Sequence, residues 1–110
     1  MKHLGMHIGG EDNSPLAKRP WLSDIEAHSA PLLACYRWVA EPEAGGSVGV
    51  DLYVSRSGGA AEVRAMRQKL GGTAFEDCMR GAWASVPFHA PERPTVLSYS
   101  LLFELEDVEH

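Results

Sequence analysis

The chain predicts an α+β domain in the order α-β-β-α-β, with two helices packed on one face of a three-stranded antiparallel sheet. Three observations predict it. Residues 47–55 and 95–105 alternate apolar and polar side chains at the period of a half-buried strand. Residues 70–88 carry apolar side chains at helical spacing, and Ser57-Gly58-Gly59 offers a turn that folds one strand back on another. A sheet with one apolar face needs helices to cover it, and the sequence supplies a helical pattern on either side of the hairpin.

The elements follow in order. Residues 1–20 mix glycine, proline and charge without a sustained apolar period, so they read as a flexible linker or an arm foreign to the domain. The domain proper is expected over 21–106, with 107–110 as an acidic tail. Ser23 followed by Glu26 has the form of a capping box and predicts a helix start. Pro31 then predicts either a fresh start or a kink, because proline inside a helix costs about 3 kcal/mol. From Leu32 onward, Leu32, Cys35, Tyr36 and Val39 share a face, and the segment 41–46 closes the helix.

Val48, Val50, Leu52 and Val54 form the buried face of the first strand, opposite Gly49, Asp51 and Tyr53. The returning strand, 60–67, places Val63 and Ala65 inward, and its phase suggests a bulge near Ala61 and Glu62. Thr73 with Glu76 reads as a second capping box, opening a helix whose apolar stripe is Phe75, Cys78, Met79, Ala82 and Val86. Asp77, Arg80 and Gly81 look away. Pro87, Pro91 and Pro94 hold an irregular connection. The last strand, 95–105, sets Leu97, Tyr99, Leu101, Phe103 and Leu105 against Val96, Ser98, Ser100, Leu102 and Glu104.

Composition narrows the function. With 110 residues this is a single domain, and a net charge of −5 argues against a nucleic-acid partner. Arg56, Arg64, Arg67 and Lys69 make the middle basic, and Glu104, Glu106, Asp107 and Glu109 make the end acidic. No apolar run reaches the roughly 18 residues of a membrane span, and Lys2 is followed by no signal-peptide core, so the sequence reads as a piece of a longer precursor. His3 and His7 are spaced for one helix face, but no further ligand completes a metal set. No cofactor motif and no phosphate loop is present. A thiol enzyme would need Cys35 or Cys78 as nucleophile and His28 or His89 as base, yet both cysteines sit on apolar faces. Those cysteines are either two buried thiols or one bridge, and two helices on one face put them in a common layer, which favours the bridge. Trp21, Trp38 and Trp83 are core residues or anchors of a dimer.

From Cys35 to Phe103 the sequence resembles the C-terminal domain family of the gliding-motility proteins AgmX and PglI, which has a TonB-like fold. Cys35-Tyr36 stands at that family's Cys-Tyr pair; Gly46, Val48, Val50, Leu52, Val54 and Gly58 at its glycine, strand and turn; Leu70 and Cys78 at its leucine and second cysteine. Tyr99, Leu101 and Phe103 stand in its closing strand. The chain departs from the family after the second helix, where Val86 holds a tryptophan position, Pro87-Phe88 reverses the usual order, and Pro91-Glu92-Arg93-Pro94 replaces glycines. The resemblance implies a periplasmic, non-enzymatic module of an envelope-spanning machine for gliding motility or energy coupling. It would bind a protein or peptide of the outer membrane or periplasm by strand addition, with no small-molecule substrate. The expected edge is the last strand, through Val96, Ser98, Ser100, Leu102 and Glu104. The alternative is a structural dimerisation module using the same edge.

Overall fold

The structure is a computed structural model and describes residues 2–10, 12–41 and 45–103. It is an α+β fold in which helices cover one face of an antiparallel sheet. The sheet has four strands rather than three, because the first segment of the chain belongs to it.

Strand β1, Lys2–Ile8, pairs with β6, Thr95–Phe103, and buries Met6 and Ile8 in the core. The expectation of a linker over residues 1–20 is therefore corrected. Local chemistry ends this strand cleanly. The Asn13 side chain accepts from the Ile8 amide at 2.6 Å and donates to the Ile8 carbonyl at 3.0 Å, standing in for a neighbouring strand. Ser14 then caps α1, Pro15–Ala27, by accepting from the Ala17 amide. That cap starts the helix well before Ser23, which lies inside it. Pro20 also lies inside α1; burial of Trp21 and Ile25 on the helix's inner face offsets the bond it removes.

The helix stops at His28, and Pro31 sits in the first turn of a new short helix, α2, Ala30–Ala34. A 3-10 turn, Cys35–Trp38, continues it. The segment is broken where one long helix was a possible reading, but its inner face is as read: Leu32, Cys35, Tyr36 and Val39 are all buried.

Strand β2, Gly46–Val54, buries Val48, Val50, Leu52 and Val54 and pairs on one side with β6 and on the other with β4, Glu62–Gln68. Between β2 and β4, the pair β3, Gly59–Ala60, joins β5, Pro87–Phe88, in a two-stranded ribbon. Gly58 has φ 73°, and a Cβ there would lie 2.8 Å from the Ala90 amide and the Phe88 carbonyl, so this turn needs glycine twice over. The bulge falls at Arg64 rather than at Ala61: Val63 faces Leu52, Ala65 faces Asp51, and the pattern slips between them. Ala65 thus lies on the open face, and Met66, opposite Val50, takes the inward position.

Helix α3, Thr73–Ala84, buries Phe75, Met79, Ala82 and Trp83. Its cap is Gly72, not Thr73, and no side chain caps it. Glu76 is used elsewhere, accepting from Gln68 at 3.0 Å. The core is knit by aromatic edges: Tyr36 and Phe75 both meet Phe103, and Trp83 meets Tyr99 at 5.7 Å. The sulfurs of Cys35 and Cys78 lie at disulfide distance, with Cα atoms 5.7 Å apart, linking the 3-10 turn to the middle of α3.

Candidate functional site

The strand order is β1-β6-β2-β4, and this fixes which backbone groups are free. The last strand, expected at the edge, lies between β1 and β2. Its ladder is used on both sides, so Val96, Ser98, Ser100 and Leu102 cannot accept a partner strand; Glu104 lies outside the described residues. Those four side chains instead line the open face of the sheet. There the Ser98 hydroxyl donates to Asp51 at 3.0 Å, and Arg67 grips the same carboxylate with two bonds of 3.0 and 3.1 Å. The Arg67 guanidinium holds the Asp51 carboxyl below its ordinary range; partial burial opposes this, and the Ser98 hydroxyl adds to the lowering. Arg64 lies 4.1 Å over the Tyr53 ring.

The sheet's outer edges are β1 and β4. The β1 ladder slips between His3 and Gly5, which interrupts its edge in the middle. The same slip turns His3 toward Tyr99, where the rings stack at 5.3 Å, while His7 faces Ser98 on the other side of the sheet, so the two histidines do not meet. The β4 ladder runs without a break from Ala65 to Gln68. At its end lies a cavity of about 610 Å³ lined by Gly46, Met66, Lys69 and Leu70 among others.

Gln68 builds that end. Its side-chain oxygen accepts from the amides of Leu70 and Gly71 at 2.7 and 3.0 Å, and its nitrogen donates to the Gly71 carbonyl at 2.9 Å. The Leu70 carbonyl takes the Ala40 amide at 2.8 Å. Gly71 has no room for a side chain, since a Cβ would lie 2.7 Å from the Trp38 carbonyl and from the Phe75 side chain. Leu70 is thus held firmly as one wall of the cavity. Among the described residues, the arrangement offers an extended segment a strand edge without a partner and an adjoining pocket for one apolar side chain. With or without β1 this strand is an edge; what β1 does is close the β6 edge expected from the sequence.

Neither cysteine is a free thiol here. His28 is exposed, and His89 is bonded to Asp24 rather than to a nucleophile, with Nδ1 2.7 Å from the carboxylate and the His89 amide donating to it at 3.0 Å. Of the three tryptophans, Trp21 and Trp83 are buried and Trp38 is 49 % exposed. Among the described residues no helix is long and apolar enough to cross a membrane.

No protein-family model, no curated protein and no solved structure matches the chain.

Proposed function

We propose that this domain is a non-enzymatic protein–protein interaction module of the cell envelope, similar in role to the TonB-like C-terminal domains, and that it takes up an extended segment of a periplasmic or outer-membrane protein along β4. The observation that carries the reading is the open, regular edge Ala65 to Gln68 ending at the cavity beside Met66 and Leu70. Backbone bonds along the edge supply affinity, and a side chain seated in the cavity supplies selectivity. The shared spacing of Cys35-Tyr36, the glycines and Cys78 supports the TonB-like assignment, and a Cys35–Cys78 bridge fits an oxidising compartment.

The test is amide NMR of the 15N-labelled domain titrated with peptides about ten residues long that alternate apolar and polar side chains. Shifts should concentrate on 63–70 and spare 97–101. Shifts confined to the helices, or none at millimolar peptide, would end this reading. Exposure of Trp38 favours a second reading, a structural dimer. Sedimentation decides between them: a mass of one chain with peptide uptake supports the first, and a concentration-dependent doubling that peptide does not reverse supports the second.

A further inference from the structure

We propose that a second cavity, which shares no lining residue with the one beside β4 and is independent of the strand-addition reading, binds a compact organic cation: an ammonium or amidinium group on a small apolar body. The cavity measures about 350 Å³ and lies where the end of β1, the first turns of α1 and the loop before β6 converge. That volume lies within the range of about 300–1,000 Å³ typical of small-ligand sites.

Its chemistry is one-sided. Trp21, Ile8 and Pro91 supply apolar walls. The polar lining is Asp12, Glu92, His89 and Thr95, and no lysine or arginine lines it. The side-chain and capping donors around it are already used. Thr95 donates its hydroxyl to the Arg93 carbonyl at 2.8 Å, and the Ser14 amide and hydroxyl both go to Asp12. Most of the first turn of α1 is likewise committed: Pro15 has no N–H, the Ala17 amide goes to the Ser14 hydroxyl, and the Lys18 amide goes to the Ser14 carbonyl, which leaves the Leu16 amide. His89 completes the pattern. Its Nδ1 faces Asp24, which in the neutral ring fixes the proton on that nitrogen and leaves Nε2 an acceptor. The Trp21 ring, 4.2 Å from the imidazole, holds the ring's other flank.

What the cavity offers a ligand is therefore chiefly acceptors, two of them carboxylates, with Trp21 in its wall. A guest that brings hydrogen-bond donors and positive charge is favoured by the carboxylates, and its apolar body by the Trp21, Ile8 and Pro91 walls.

The experiment uses the whole chain and benzylammonium as the probe, with benzyl alcohol and benzoate as the neutral and anionic counterparts of similar shape. NMR follows the Trp21 indole, the Ile8 methyl groups and the His89 ring. Saturable shifts at these three groups with benzylammonium, weaker with the alcohol and absent with benzoate, support the proposal. Glu92→Gln, an exposed loop change that leaves the fold's contacts alone, should weaken binding roughly threefold, the scale of an exposed charge pair. A lysine-bearing peptide run in parallel separates the sources: tighter binding than benzylammonium assigns the site to a partner's side chain, and weaker binding assigns it to a free amine. Equal or stronger binding of benzoate, or an affinity unchanged by Glu92→Gln, overturns it.

Discussion

Breaking the Cys35–Cys78 link tests a large stabilising element of the fold. The two positions are 43 residues apart, and closing such a loop lowers the entropy of the unfolded chain by about 13 cal/mol/K, or about 4 kcal/mol at 25 °C. Domains of this size have a total stability of about 5–15 kcal/mol, so reduction should remove a large part of it. The effect is expected to lie in the unfolded state, because the link is flanked by a packed core in which Leu32, Tyr36, Phe75 and Met79 are buried. Urea unfolding of the same protein with and without reductant is the assay, Cys78 being partly exposed and reachable. The midpoint should fall by roughly 2–4 M at slopes of about 1–2 kcal/mol/M. The double change Cys35→Ala/Cys78→Ala should reproduce the loss, with a further cost from the small cavity at the fully buried Cys35. A difference below about 1 kcal/mol between oxidised and reduced protein would refute the loop-closure reasoning.

Three further outcomes are expected. Removing residues 1–10 should destabilise the domain by about 3–6 kcal/mol in denaturant melts, the burial of Met6 and Ile8, where a linker would cost nothing. Gly10 and Gly58 share a positive φ, but only Gly58 would also clash, so Gly10→Ala should cost about 1 kcal/mol and Gly58→Ala about 3 kcal/mol; equal costs in thermal melts would mean that the turn yields to the added Cβ. Burial, with the Glu26 charge adding, pushes the Tyr99 hydroxyl up to about 12, above its unfolded value, so the neutral form is favoured by folding. Stability from this group is complete below about pH 10 and is lost as pH rises toward 12, and ultraviolet titration should find Tyr99 ionising after an exposed tyrosine.

Much of the interior was legible in the sequence because it depends on short-range periodicity. Val48 to Val54 and Leu97 to Phe103 repeat at period two over nine-residue strands, and Leu32, Cys35 and Tyr36 at helical spacing, so their buried faces follow from geometry alone. Caps were read less well. Thr73 with Glu76 has the right spacing, but Glu76 finds Gln68, a partner eight positions earlier that only the folded chain brings near. Ser23 has a capping residue's chemistry, yet the Asn13-Ser14 pair upstream starts the helix first. The costliest misreading was β1. Met6 and Ile8 alternate, but Gly5 and Gly9-Gly10 dilute the pattern, and the bulge leaves Leu4 50 % exposed. Without that strand β6, the longest strand signal, stands at an edge and reads as the binding strand; with it, β6 is closed on both sides. The cavity beside His89 was illegible for another reason: Asp24 and His89 are 65 residues apart, and no local pattern joins them.

The pairing of β1 with β6 also bears on how the domain is reached from the unfolded chain. It joins residues roughly 90–100 positions apart, the longest-range ladder in the sheet, whereas β2 and β4 form a local hairpin. During synthesis β1 emerges well ahead of β6, and its partner does not exist until nearly all of the described chain has been made. Until that moment Met6 and Ile8 stay in water, and once β6 has docked on β2 its outer edge waits for them. A second nascent chain in the same interval presents an identical strand of its own, so strand exchange between copies competes with closure within one, and the competition is set by concentration and by the reach of the short turn at Gly9-Gly10.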